Sequence, residues 1–365
     1  MKSVTEQLIQ IVEAAREARA TGQVLVKIGI DAHSSALVVV EQCDEQGAKP
    51  ARKVSVEGLL KLIATRRHAG GVIFTCYEAG PLGYGLHDRL ERAGVHNLVV
   101  RPRALKEYGA PLKTDRRDAE QLTSNLDRFL GGNTKALAPI AIPNEEERIS
   151  RSHGRQREHL SQQRRRELQQ AKGVALFYGF SLRGDWWRVR RWPVLKATLP
   201  DFLQAIIDST LERVALLDSQ IEAAEVVLCS AAPALRPKGL GALTAVLIER
   251  EVVDWQRFRN RRQIASFTGL VPSEHSSGKS RLQGSITKHG NPRLRTMLVE
   301  CAWRLLLYQR GYIALKKWGA SLLDATTGRS RRKKLLVALA RQWAVDLWRW
   351  RTGRATLEQL GIVCA

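Results

Sequence analysis

Apolar positions change their period along the chain, and those changes divide it. Over residues 4–20, Leu8, Ile9, Val12 and Ala15 recur at helical spacing and predict a leading helix. Residues 24–42, VLVKIGIDAHSSALVVVEQ, are dense in β-branched side chains and predict two strands broken near Ala32–Ser35. A polar turn at Asp44–Lys49 leads to a third strand around Arg52–Val56. A helix near Glu57–His68, a buried-type strand in GVIFTCYEAG, a helix near Leu82–Ala93 and the strand HNLVVRP follow. Antiparallel strands succeeded by strand–helix alternation predict a mixed sheet with helices packed on it, an α/β front domain over residues 24–135 behind an N-terminal helical extension, 1–23.

Beyond this the pattern is helical. GGNTKALAPIAIP, residues 131–143, reads as a linker of glycines, polar residues and spaced prolines. A long polar helix starts at Asn144 as N-cap, with Glu145–Glu147 in its first turn and only Ile149, Leu160 and Leu168 as sparse apolar positions. A second helix, about 199–230, carries the stripe Ile207, Leu211, Val214, Leu217, Ile221, Ala224 and Leu228. The pair predicts an antiparallel arm over 144–232, with FYGFSLRGDWWRVRRW between its helices; those tryptophans suit packing under a helix more than base stacking. In the remaining domain, 236–365, KGLGALTAVLIE has the Gly–apolar–Gly spacing of a helix-hairpin-helix turn or a plain helix-joining turn. PSEHSSGKSRLQGSITKHGNPRLR reads as a polar, flexible loop, and helices are predicted over 292–309, 311–324 and 330–350, where the tryptophans are packing residues.

Charge sharpens this division. The 365 residues hold 59 Lys/Arg against 36 Asp/Glu, net +23, but residues 1–140 carry only +4 and 141–365 carry +19. A strongly basic back half implies a polyanion partner, since each neutralised phosphate releases counterions. Arg164, Arg165 and Arg166 on the first arm helix, and Lys279, Arg281, Lys288, Arg293 and Arg295 around the polar loop, are the candidate phosphate contacts; a solvated helix laced with ion pairs is the alternative for the arm. No lipidation signal, apolar span or signal peptide is found, so a cytoplasmic location and no membrane partner are expected. Five well-separated cysteines, without a CxxC pair, indicate neither disulfides nor zinc.

The candidate chemistry lies in the front half. In KTDRRDAEQL, Asp115 and Asp118 share a helix face, flanked by Lys113, Arg116 and Arg117 as further candidate phosphate contacts. Asp31 ends an apolar strand, where a charge has no core role, and Glu78 ends another before a Gly–Pro turn. In sheets with parallel strands, ligands collect at the carboxyl ends. Four converging carboxylates would form a hard site suited to Mg²⁺ or Mn²⁺ and ill-suited to zinc. Helix and turn capping explains the same residues, and spacing alone leaves both open. His33 could touch metal or phosphate there, but reads more readily as a turn residue near the site. A serine between glycine and cations, Ser276 or Ser277, can act as a nucleophile on a phosphodiester, although flexible loops are rich in serines.

The order IGIDAH, CYEAG, KTDRRDA resembles the Asp–Glu–Asp–Asp pattern of bacterial insertion-sequence transposases of the "one-ten" family, and GLVP, SSG, KHGN and RLR resemble that family's serine-bearing domain in the same order. The resemblance implies a RuvC-like front domain with a ribonuclease H fold, a coiled-coil arm used in dimerisation and a mainly helical C-terminal transposase domain. It implies magnesium held by Asp31, Glu78, Asp115 and Asp118, and Ser277, directly before Gly278, as nucleophile. It further implies DNA cleavage and rejoining through a serine–DNA ester, dimers and tetramers that join the carboxylates of one subunit to the serine of another, and a structured guide RNA encoded by the element. A hydrolytic nuclease such as a junction resolvase, or a non-catalytic nucleic-acid-binding protein, are the alternatives.

Overall fold

The structure is a computed structural model that describes residues 4–33, 36–80, 82–101, 114–277 and 280–364, and of residues 4–7 and 275–282 the backbone alone. It divides into two compact units, Met1–Pro143 and Asn144–Ala365. The first is mixed α/β and the second largely helical.

Unit 1 runs α1 (Val4–Ala20), β1 (Leu25–Ala32), β2 (Leu37–Cys43), β3 (Arg52–Val54), α2 (Val56–His68), β4 (Val72–Glu78), α3 (Gly85–Arg92), β5 (His96–Val100) and α4 (Asp115–Leu130). Its sheet has the order β3-β2-β1-β4-β5, with β1–β2 and β2–β3 antiparallel and β1–β4 and β4–β5 parallel. Hairpin connections serve the first three strands, while the helices α2 and α3 carry the chain across to parallel neighbours, as parallel pairing requires.

Strand β1 is central, and both of its faces are covered. Val26, Ile28 and Ile30 lie in a core with Leu59 and Ile63 of α2 and Leu86 and Leu90 of α3. On the other face Leu25 joins Phe74, Cys76 and Leu98 under α1 and α4, through Ile11, Ala15, Leu122, Leu126 and Phe129. The leading helix thus belongs to the core of this unit. So does much of the segment expected as a linker: Ala136 and Leu137 are buried in the same cluster, and Pro139 bridges to Val100. Its spaced apolar residues cover the sheet, which polar and glycine content alone concealed.

Glu41 on β2 is almost fully buried and faces Lys49 at 3.0 Å, Arg52 at 2.9 Å and Arg66 at 2.6 Å. Burial is the largest influence on its carboxyl and acts to raise the pKa, but hydrogen bonds and charge from Arg66 and Lys49 outweigh it and hold the group below its ordinary value. A lowered folded-state pKa means stabilisation present above the unfolded pKa and lost as pH falls through the folded one. Glu41→Gln is therefore expected to cost about 3 kcal/mol at neutral pH, the low end for breaking a buried pair because the three cations keep contact with water. Urea titrations at neutral pH and below about pH 4 check this; an equal deficit at both would contradict it.

Unit 2 begins with α5 (Glu145–Phe177), started by a capping box in which Asn144 and Glu147 serve each other's backbone. After α6 (Trp192–Lys196), α7 (Asp201–Cys229) returns along α5. The ion pairs Arg157–Glu225, Arg164–Asp218 and Arg213–Glu167 fix this antiparallel register. The tryptophans between the helices pack: Trp186 and Trp192 are buried with Leu168, Leu203 and Ile207, and Trp192 donates to Asp208 at 2.8 Å.

The rest comprises α8 (Ala242–Val252), α9 (Arg261–Thr268), β6 (Pro272–Ser277), β7 (Ser280–Ile286), α10 (Pro292–Tyr308), α11 (Leu315–Leu323) and α12 (Arg329–Arg351). Its core gathers Ile248, Phe258, Leu298, Leu305, Leu339 and Trp343. The Gly–apolar–Gly segment is not a tight turn between two helices: α7 ends at Cys229, and Gly239, at φ +88°, sits where a Cβ would meet the Tyr308 ring at 2.7 Å. Close packing, rather than an open amide cradle, requires that glycine. The polar loop expected before α10 is a two-stranded hairpin instead, bulged near Pro272 and Glu274. Its polar residues gave no alternating apolar signal, and pairing is local to two strands.

Candidate active site

Placement of the front carboxylates follows from how α4 lies on β1. The two run antiparallel, and two residues of strand, about 6.6 Å, span nearly the same length as four residues of helix, about 6.0 Å. Contacts therefore recur at matched steps. Lys27, buried on β1, pairs with Asp127 and reaches the Asp44 carbonyl. Two residues on, Gly29 N donates to Thr123 Oγ1 at 3.0 Å, four residues back along the helix. The Thr123 hydroxyl also lies 3.0 Å from Val40 O and 2.9 Å from Ala119 O. A Cβ on Gly29 would stand 2.4 Å from Thr123 N and 2.5 Å from Ala119 O. Only glycine permits an approach this close.

The next step brings Asp31 toward the first turn of α4, where Thr114 caps and Asp115 and Asp118 follow. His33 bridges the gap: its Nε2 is 3.1 Å from Asp31 Oδ2 and 3.4 Å from Asp115 Oδ1. One ligand atom from each of Asp31, His33 and Asp115 lies within 4.8 Å of the others. Asp118 is close enough to act on Asp31 by charge. Glu78 is outside that group of three and is placed by register alone. Ile30 pairs with Tyr77 across β1–β4, so Asp31 and Glu78 are the residues that follow, and Glu78 shares strand parity with Phe74 and Cys76, which face α4. Burial, and then the Glu78 charge, push the Cys76 thiol well above its ordinary value.

The Asp31 carboxyl is held above its ordinary pKa. Burial is the largest cause; His33 opposes it by charge and hydrogen bond, and the Asp115 and Asp118 charges add to it. Hard oxygens gathered against desolvation and mutual repulsion form a donor set that fits a divalent cation. His33 is the residue that sequence reading left aside. Its sequence signal is its place two residues past Asp31, beyond the end of the apolar strand.

The basic residues divide. Arg116 pairs with Glu120 at 2.8 Å, and Arg117 is exposed on the first turn of α4; Lys113 lies outside the described residues. Arg164 is engaged by Asp218 and stacks on Trp187 at 5.7 Å, whereas Arg165 and Arg166 are exposed. Arg293 pairs with Glu158.

In unit 2 the motif residues build a base for the β6–β7 hairpin. Gly269 ends α9 in the left-handed conformation at φ +67°, and Gly290 packs so closely that a Cβ would lie 2.5 Å from Gly269 N and from Phe267 O. Lys288 N donates to Gly269 O at 3.1 Å and Asn291 N to Phe267 O at 2.8 Å. The Asn291 side chain caps α10 and donates to Glu251 at 2.6 Å. Arg295 donates to Thr268 O at 3.2 Å and Lys288 O at 3.3 Å; Lys288, at φ +57°, is exposed. In the hairpin Ser276 pairs with Arg281 and Ser277 with Ser280 through their backbones, and Lys279 lies outside the described residues.

Comparisons with known proteins supply the class. The family model described as "Transposase IS116/IS110/IS902 family" matches residues 234–316, which hold α8, α9, the hairpin and α10. "Putative transposase y4rJ" of Sinorhizobium fredii is 32% identical over 310 residues, 77% of each chain. The transposase for insertion sequence element IS1111A of Coxiella burnetii is 26% identical over 286 residues, covering 72% of this chain and 73% of its own. The transposase for insertion sequence element IS1328 of Yersinia enterocolitica is 26% identical over 238 residues, 62% and 69%. The chain belongs to this family of bacterial insertion-sequence transposases, the one-ten family. Among the described residues no helix is long and apolar enough to cross a membrane.

Proposed function

We propose that the protein is a DNA transposase that cuts and rejoins DNA at insertion-sequence ends and target, using a RuvC-like carboxylate site and a serine nucleophile. The observation that carries the cation-binding half is the meeting of Asp31, His33 and Asp115 at the end of the central strand, with Asp118 near enough to act on Asp31 by charge and Glu78 ending the neighbouring strand. The strand order β3-β2-β1-β4-β5, with β2 antiparallel to both β1 and β3 and with β1, β4 and β5 parallel, supports the RuvC-like assignment. Asp31, Glu78, Asp115 and Asp118 would hold Mg²⁺ or Mn²⁺, which supplies Lewis-acid stabilisation of charge on phosphoryl oxygens. The motif match supports Ser277 as the attacking group.

In this scheme the Ser277 oxygen bonds to phosphorus as the bond to the leaving DNA oxygen breaks. The serine proton passes to water, and the leaving oxygen takes one up. One ester replaces another, so an incoming DNA hydroxyl can reverse the exchange, release serine and form the new phosphodiester. Exposed cations such as Arg165, Arg166 and Lys288 are placed for phosphate contact. A structured guide RNA choosing the DNA sites, and a homodimer or homotetramer as the working form, complete the proposal.

The test incubates full-length protein, its RNA, cognate DNA and Mg²⁺, and looks for a denaturation-resistant protein–DNA adduct. Adduct is expected with wild type and with Ser276→Ala, and none with Ser277→Ala. The reverse pattern moves the nucleophile to Ser276. Cleavage without any adduct makes the protein a hydrolytic nuclease, and binding without cleavage in Mg²⁺ leaves a nucleic-acid-binding protein only.

A further inference from the structure

His33 stands at the mouth of the acidic cluster in a position that ordinary turn chemistry does not require. One ring nitrogen faces two carboxylates from different elements, Asp31 from β1 at 3.1 Å and Asp115 from α4 at 3.4 Å. Nε2 carries at most one proton, so it cannot give each carboxylate a separate, well-directed hydrogen bond. The three ligand atoms instead lie within 4.8 Å of one another, as donors around one ion do. Neighbouring ligands in an octahedral shell with bonds of about 2.1 Å lie about 3.0 Å apart, close to both observed separations. The ring is half-exposed, and these two polar contacts tie it to β1 and α4.

We propose that His33 is itself a metal ligand, completing the site with Asp31 and Asp115 and giving it a preference for Mn²⁺ over Mg²⁺. This rests on the carboxylate reading above and narrows it. The four-carboxylate set alone offers only hard oxygens, which serve Mg²⁺ and Mn²⁺ alike. A ring nitrogen is a softer donor that transition-metal ions accept readily, whereas Mg²⁺ keeps to oxygen and gives up its water reluctantly. A mixed nitrogen–oxygen site therefore separates two ions that an all-oxygen site does not.

The rival arrangement makes His33 a stand-in cation, paired with the carboxylates until a metal displaces it. The two differ in the sign of the His33→Ala effect. Loss of a ligand weakens Mn²⁺ binding, whereas loss of a competing cation leaves it unchanged or tightens it.

The experiment uses the full chain without nucleic acid. Mn²⁺ binding is followed by electron paramagnetic resonance, Mg²⁺ by competition, and ¹⁴N coupling to bound Mn²⁺ by electron spin-echo modulation. Wild type, His33→Ala, His33→Asn and Asp31→Asn are compared, with circular dichroism as the check on folding. Expected are a ¹⁴N signal in wild type that is absent from both His33 variants, and Mn²⁺ affinity lower by at least about tenfold, the smallest loss usual even for groups that only orient ligands. Mg²⁺ affinity should change by less than about threefold. Absence of ¹⁴N coupling in wild type, unchanged or tighter Mn²⁺ binding in His33→Ala, or equal losses for both ions would overturn the ligand role; with Asp31→Asn abolishing binding, the carboxylate site would still stand. If Asp31→Asn binds Mn²⁺ as wild type does, or wild type binds none, the carboxylate reading falls, and this inference with it.

Discussion

Asp31→Asn should abolish strand cleavage and, at neutral pH, raise the thermal stability of the protein. Both effects have one cause. Burial, then the charges of Asp115 and Asp118 against the partial relief from His33, leave the Asp31 carboxyl above its ordinary pKa. A group with a raised folded-state pKa contributes stability below its unfolded pKa and loses it as pH rises through the folded value. At neutral pH the ionised carboxylate therefore opposes folding. Asparagine keeps the shape and an oxygen that can accept from His33, but carries no charge to desolvate. The melting temperature should rise at neutral pH, and the gain should vanish on acidification, where Asp31 is protonated in the wild type. Activity should fall at least about a hundredfold, the scale on which loss of a charge-stabilising group acts. Calorimetry across pH and a cleavage assay read the two arms. A lower melting temperature at neutral pH would mean that Asp31 is structural, and cleavage within tenfold of wild type would remove it from the chemistry.

Such opposition of stability and activity marks residues that the fold tolerates rather than needs. It also separates what the sequence could disclose from what it could not. Asp31 and Glu78 were visible because a carboxylate at the end of an apolar strand breaks the local pattern, and Asp115 and Asp118 because helical spacing puts them on one face. How Asp115 and Asp118 reach Asp31 depends on residues outside the site. Lys27, Gly29 and Thr123 set how far α4 slides along β1, and Gly29 and Thr123 are ordinary within their own elements. A lysine in the middle of a buried strand does imply a carboxylate partner, so Lys27 was the available clue to the half-exposed Asp127, 100 residues away.

The basic back half was legible as charge but not as function. Arg157, Arg164 and Arg213 serve the register of α5 on α7, and Arg295 ties the carbonyls of Thr268 and Lys288 at the hairpin base. Net charge counts these alongside the exposed Arg165 and Arg166, since composition does not know partners. The motif glycines have a similar double aspect. Gly269 and Gly290 belong to a pattern that points to the serine, yet their physical task is a backbone-to-backbone contact beneath the strands that carry it.

Gly29→Ala should do as much damage as a core truncation, although it adds one methyl group. The new Cβ would fall 2.4 Å from Thr123 N and 2.5 Å from Ala119 O, both backbone atoms of a helix held on the sheet. No rotamer change can relieve such a contact, so α4 must move away from β1. The move stretches the Gly29–Thr123 bond of 3.0 Å and draws the N-terminal turn of α4 from Asp31. A stability loss of about 3 kcal/mol or more is expected, the upper end for overpacking because the obstruction is backbone. Gly47→Ala is the control, since a Cβ there meets nothing within 4 Å. It should stay within about 0.5 kcal/mol of wild type. Urea denaturation measures both, and Mn²⁺ binding by the still-folded fraction of Gly29→Ala tests the link to the site. Lost affinity at temperatures where that variant is folded would show that the fit of α4 on β1 delivers Asp115 and Asp118. Full affinity in a folded Gly29→Ala protein would mean that the carboxylates find their positions without it.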